Sequence, residues 1–180
     1  MAIEIEKKYR LTAEQREQIL TKLKELGASF SHEDFEVNDL YGGGVLEAEQ
    51  AVLRVRKMEV KTILTYKKRI EDTSSIKQQI EYETEVADGE EIEKIITSLG
   101  FKKALIYEKR RQTWHLRNVE VLMDELPFGL FMEIEGGQSE ILEAEKLLKI
   151  ENLPAVMETY PLLTAQHGEK RGEMIEARFK

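Results

Sequence analysis

The stretch Ile3-Glu4-Ile5-Glu6-Lys7-Lys8-Tyr9-Arg10 decides how the rest of the chain is read. In an extended strand successive side chains point to opposite faces. Glu4, Glu6, Lys8 and Arg10 therefore share one face, and Ile3, Ile5 and Tyr9 share the other. Two carboxylates two residues apart stand roughly 7 Å from each other along a strand, close enough to serve one group of metal ions. The Lys8 ammonium lies one step further on. An amphipathic strand with its charges in water would show the same pattern once; here the pattern returns along the chain.

Leu53 and Val55 alternate with Arg54 and Arg56, and Leu64 and Tyr66 with Thr65, Lys67 and Arg69. A loop at Glu71 to Ser75 leads to Ile80, Tyr82, Thr84 and Val86, which alternate with Gln79, Glu81, Glu83 and Glu85. A long strand from Lys103 to Arg117 carries Lys109 and Arg111 on one parity. Val119, Val121 and Met123 then oppose Glu120, Leu122 and Asp124, and Met132 and Ile134 oppose Phe131, Glu133 and Glu135. This is the signature of half-buried antiparallel sheet. Ser29 to Tyr41 is a weaker strand, followed by a Gly42-Gly43-Gly44 turn that lacks the lysine and hydroxyl of a phosphate-binding P-loop.

Helices punctuate the strands. Thr12 with Gln15 caps one that ends at Gly27, and Asp88 with Glu91 opens one that ends at Gly100. Ser139 to Ile150 makes a third, and a short helix is expected around Tyr160.

With 180 residues the chain fits one domain, here 1–165, with a polar tail at 166–180 that reads as a surface helix, a homodimer contact or a disordered segment. A net charge of -8 argues against binding a nucleic acid duplex, whose affinity comes from released counterions at basic surfaces. There is no cysteine and there are three scattered histidines, so a bound metal would be a hard cation on oxygens. No apolar run approaches a membrane span and the first strand starts at once, so a cytoplasmic protein is expected.

By parity one sheet face collects Glu4, Glu6, Glu81, Glu83, Asp124, Glu133 and Glu135 together with Lys8, Arg54, Arg56, Lys67, Lys109 and Arg111. The helices have apolar stripes enough to cover only the other face. An α+β fold is therefore expected, in which about eight antiparallel strands close into a β-barrel with helices outside and the charged face within. Charges enclosed in this way must be hydrated, paired or matched to a ligand. Carboxylates suit Mg2+ or Mn2+, and arginines and lysines suit phosphate oxygens. A polyphosphate carrying divalent cations satisfies both sets.

Glu4-x-Glu6-x-Lys8, Leu53-Arg54-Val55-Arg56, Leu64-Thr65-Tyr66-Lys67, Glu81-x-Glu83, Lys109-x-Arg111, Asp124 and Phe131-x-Glu133-Ile134-Glu135 together resemble the signature of the CYTH superfamily of triphosphate tunnel metalloenzymes. That superfamily joins class IV adenylyl cyclases and thiamine triphosphatases. Asp39-x-Tyr41 and Thr159-Tyr160-x-x-Leu163 fit it too. The resemblance implies an eight-stranded tunnel that holds a small-molecule triphosphate on Lys8, Arg54, Arg56, Lys67, Lys109 and Arg111. It implies Mg2+ or Mn2+ on Glu4, Glu6, Glu81, Glu83, Asp124, Glu133 and Glu135, with Glu4, Glu6, Lys8, Lys67 and Asp124 as the catalytic group. Hydrolysis of a triphosphate is the expected activity, cyclisation of ATP to cyclic AMP and pyrophosphate the alternative, and a non-catalytic polyphosphate-binding module the third. The chain departs from the family at Gln79, where relatives often carry arginine, and at Trp114, where tyrosine is common.

Overall fold

Strand lengths and caps set out in the sequence build most of the computed structural model, which describes residues 2–70 and 76–180. The loop expected at Glu71 to Ser75 lies outside the described residues. In chain order the elements are β1 (Ala2–Leu11), α1 (Ala13–Glu25), β2 (Ser29–Gly42), α2 (Val45–Ala48), β3 (Ala51–Lys57), β4 (Thr62–Ile70), β5 (Lys77–Val86) and α3 (Gly89–Ser98). Then follow β6 (Lys102–Leu116), β7 (Val119–Leu126), β8 (Gly129–Glu135), α4 (Gln138–Leu148), α5 (Tyr160–His167), β9 (Glu169–Arg171) and β10 (Met174–Ala177).

Eight strands neighbour one another in the order β2-β3-β4-β5-β1-β8-β7-β6, and β6 pairs back on β2 to close the ring. All of these pairings are antiparallel. Closure rests on the long β2–β6 ladder, which runs from Ser29 opposite His115 to Gly42 opposite Lys102. Two register shifts, at Phe30/His32 and Leu40/Tyr41, bend it. The segment expected to be a weak strand is thus a continuous one of 14 residues, because tertiary pairing supplies what its alternation lacks.

The outward faces carry the core. The α1 helix starts at a capping box in which Thr12 accepts from the Gln15 amide and the Gln15 side chain accepts from the Thr12 amide. It ends before Gly27, whose φ of +74° lets the chain turn off the helix. Leu20 and Leu23 of α1 and Ile141, Ala144 and Leu148 of α4 pack with Tyr9, Val121, Met132 and Ile134, the outward residues of β1, β7 and β8. Burying each such aliphatic side chain is worth about 1.5–3 kcal/mol. The α3 helix covers a smaller cluster of Tyr41, Val55 and Ile96 beside β3. A third cluster, with Leu40, Tyr107, Phe131, Tyr160 and Leu163, packs α5 against the ring.

The tail is not a helix. Beyond α5, which crosses position 165, β9 and β10 form a hairpin that turns at Gly172, with φ +67°. The β10 strand adds in parallel to β6, with Ile175 opposite Leu105 and Ala177 opposite Tyr107. Its physical cause is the length of β6: β7 covers only Arg110 to Leu116, and the earlier edge of β6 is open to another strand. Among the described residues no helix is long and apolar enough to cross a membrane.

Candidate functional site

The ring encloses a cavity of about 800 Å3, and its lining includes twelve of the thirteen charged residues that parity assigns to the inner face. Asp124 is the exception. It is fully buried, both its oxygens accept from the Arg111 guanidinium, at 2.7 and 2.6 Å, and the Tyr160 hydroxyl donates to it at 2.7 Å. Its geometry is that of a group that orients Arg111.

The carboxylates divide by surroundings. Glu6 of β1 and Glu135 of β8 are direct ladder partners, and one oxygen each from Glu4, Glu6 and Glu135 lies within 4.8 Å of the others. Burial raises the pKa of Glu4 and of Glu6, and lifts that of Glu135 to about 8 against the pull of Arg111, with Glu4, Glu133 and Glu6 adding repulsion. Crowded anions in a wet enclosure are relieved by protons or by a cation. An all-oxygen donor set of this kind fits a hard divalent ion.

Glu133 is different. Burial works to raise it, but Lys8, Arg111 and Lys109 hold it well below the ordinary carboxylate range. Lys8 stands 3.1 Å away and Arg111 donates to it. Glu81 pairs with Lys67 at 3.0 Å, and Glu83 accepts from Thr65 at 3.0 Å, with Arg54 and Arg56 at 3.8 and 3.7 Å. Of the seven acids proposed from sequence, Glu4, Glu6 and Glu135 converge, Glu4 also pairing with Lys67 at 2.7 Å and Glu6 with Lys77 at 3.3 Å, while the other four are engaged with cations or hydroxyls away from that cluster.

The basic half is formed by β3 and β6, with β2 between them. Arg54 and Arg56 reach the same cavity, and the Nε atom of each is buried with no hydrogen-bond partner among the described residues. A buried guanidinium donor left unspent is costly unless an acceptor arrives. Burial, followed by the neighbouring Arg54, lowers the Arg56 pKa, with Glu36 pulling the other way. Burial, Arg54 and Arg111 together outweigh Glu36 and Glu83 there.

Three residues in or beside the lumen stand outside the thirteen that parity collects. Sequence parity carried one step back from Gln79 reaches Lys77, whose Nζ lies 3.3 Å from Glu6 and 3.3 Å from the Glu158 carbonyl oxygen. Burial and then the Lys8 ammonium lower its pKa to about 8, against Glu6 and Glu133. Gln79, where the chain departs from the family, faces Glu4 at 3.4 Å. Glu36 is buried in the basic half, and the weak alternation of its segment conceals it. Tyr160 lays its ring over the Lys8 ammonium, 3.7 Å from the centroid.

The profile of the CYTH domain matches residues 2–158. The chain belongs to the CYTH family. Among CYTH relatives, a Methanocaldococcus jannaschii protein named "Putative adenylate cyclase MJ0240" is 31% identical over 153 residues, 82% of this chain and 84% of that one. The structure of the PH1012 protein from Pyrococcus horikoshii superposes with a TM-score of 0.77 at 28% identity, covering 88% of this chain and 98% of that one. The Hippeastrum protein named "Putative adenylyl cyclase HpAC1", described as having a dominant triphosphatase activity, superposes at 0.71 over 91% of this chain and 95% of its own, at 17% identity. The last likeness is one of fold. The CYTH ring of strands expected from alternation is present, with its helices outside.

Proposed function

We propose that the tunnel binds a triphosphate together with divalent cations and hydrolyses a phosphoanhydride bond. The observation that carries this is a single cavity holding three converging carboxylates and two buried guanidinium Nε donors that have no hydrogen-bond partner among the described residues. Phosphoryl transfer asks the protein mainly for positioning and charge neutralisation, and these residues supply both.

Arg54, Arg56, Lys67 and Lys109 bind phosphate oxygens. Lys8 and Arg111, each held by Glu133, present fixed positive charge where negative charge grows in the transition state. Asp124 and Tyr160 fix the Arg111 guanidinium plane. Glu4, Glu6 and Glu135 hold Mg2+ or Mn2+, with Glu81 beside them through Lys67. A divalent cation there supplies Lewis-acid neutralisation of the phosphate chain.

The second reading is cyclisation of ATP, in which the 3'-hydroxyl attacks the α-phosphorus and pyrophosphate leaves. The 31%-identical relative, named as a cyclase, favours it. Incubating the protein with ATP, thiamine triphosphate and inorganic triphosphate, with Mg2+ or Mn2+, tests both. Orthophosphate supports hydrolysis, cyclic AMP with pyrophosphate supports cyclisation, and binding without turnover overturns both in favour of a binding module.

A further inference from the structure

Glu36 stands where a phosphate site should want no anion. It is 1% exposed, on β2, the strand four places from β1 in either direction round the ring, and so across the lumen from Glu4 and Glu6. Its carboxylate lies 3.2 Å from Lys109 Nζ and 3.8 Å from Arg56 Nε, and accepts from the Asn38 amide at 3.2 Å. Burial works against the charge, yet Lys109, Arg111, Arg56 and Arg54 hold the group ionised far into acid. Any ligand that engages Lys109 and Arg56 must therefore share them with a fixed negative charge.

We propose that Glu36 is a specificity-determining residue that makes the tunnel favour a triphosphate monoester over inorganic triphosphate. This rests on the triphosphate reading above. A terminal phosphate group carries a charge of about −1.5 to −2 near neutral pH, and inorganic triphosphate has one at each end. A monoester has one such end only; its esterified phosphate bears a single ionised oxygen. With the carboxylate cluster and its cations on the β1 side, the dianionic end is best placed there, and the opposite end meets Glu36. An ester end is tolerated at that wall and a second dianionic end is repelled, because like charges a few ångströms apart in an enclosed site interact strongly. A carboxylate that only balanced its neighbours' charge would weaken both ligands alike.

The test is the ratio of two dissociation constants, measured by calorimetry with Mg2+ present. The probes are the β,γ-methylene analogue of ATP and the bis-methylene analogue of inorganic triphosphate, so that neither turns over. Contacts to the nucleoside cancel when this ratio is compared between variants. Glu36→Gln should shift the ratio toward the inorganic analogue by about tenfold or more. Because that substitution removes a buried counter-ion and can cost the fold, Asn38→Asp provides the opposite test. Asn38 is fully buried and faces Arg56 in the ladder, so a second carboxylate there should shift the ratio further toward the ester. A ratio unchanged in Asn38→Asp, or in folded Glu36→Gln, overturns the inference. Binding of neither analogue by the wild-type protein overturns the triphosphate reading itself.

Discussion

Glu6 and Glu135 face each other directly across the β1–β8 ladder, and with Glu4 they bring three carboxylate oxygens within 4.8 Å. Like charges at directly opposed positions repel, and here the β1–β8 register holds them side by side.

Glu135→Gln should lower metal-dependent turnover by about 100-fold or more, since groups that merely orient a metal ligand already cost about 10–100-fold. Metal-free stability should change by less than about 1 kcal/mol, because a carboxyl whose pKa burial lifts to about 8 is already largely neutral at pH 7. Assays with added EDTA and restored Mg2+, alongside thermal unfolding, check both; normal turnover would contradict the metal assignment.

Arg56→Met keeps the apolar stem and removes a cation crowded by Arg54 and Arg111. Triphosphate binding should weaken by about 10–100-fold, the range of one or two charge-assisted hydrogen bonds at about 1.5–3 kcal/mol for a bond to a charged group. Stability should be little changed. Calorimetric titration reads the first, and wild-type affinity would count against a site in the tunnel.

The pH dependence of stability should report Glu36. Burial raises its pKa, but Lys109, Arg111, Arg56 and Arg54 outweigh that and depress it well below the unfolded value. A depressed carboxylate contributes stability that is complete above the unfolded pKa, about 4.3 for Glu, and lost as pH falls through the folded one. Glu36→Gln should therefore be less stable than wild type by about 3–5 kcal/mol at pH 7, and the gap should narrow steadily below about pH 4. Urea unfolding from pH 7 to pH 2.5 measures it; a constant gap would mean that the carboxylate is not what those cations hold.

Tyr160→Phe removes the hydroxyl that donates to buried Asp124 at 2.7 Å. A loss of about 1–3 kcal/mol is expected, the cost of a buried acceptor left short of one donor. If Tyr160 also fixes Arg111 through Asp124, kcat should fall more than KM rises, and a change in KM alone would argue against that positioning role.

Much of this protein is legible in its residues. The alternation in Ile3 to Arg10, Leu53 to Arg56 and Leu130 to Glu135 places seven charged side chains in the cavity before any pairing is known, and the strands through Lys67, Glu81 and Lys109 bring the number to twelve. Caps at Thr12 and Asp88 locate two helices to within a residue. Glu36 and Lys77 are harder. Glu36 lies in a segment whose alternation is weak, and Lys77 one inward position behind the clear pattern that begins at Gln79. Asp124 shares the inner parity but sits beneath Arg111, its partner in the β6–β7 ladder, and Tyr160, which the docking of α5 brings. The tail, polar enough to pass for a surface helix, becomes a strand because β6 outruns β7.

By itself the sequence determined which side chains share a face and where helices begin and end, because a strand's period of two and a helix cap are properties of a few consecutive residues. Only the tertiary structure decided which charges meet. The distance from Glu6 to Glu135 depends on the register of β1 against β8, strands far apart in the chain, and that from Glu36 to Lys109 on the closure of β2 against β6. Local alternation does not encode those relationships, since sliding a strand by two residues keeps every side chain on its face and changes every partner.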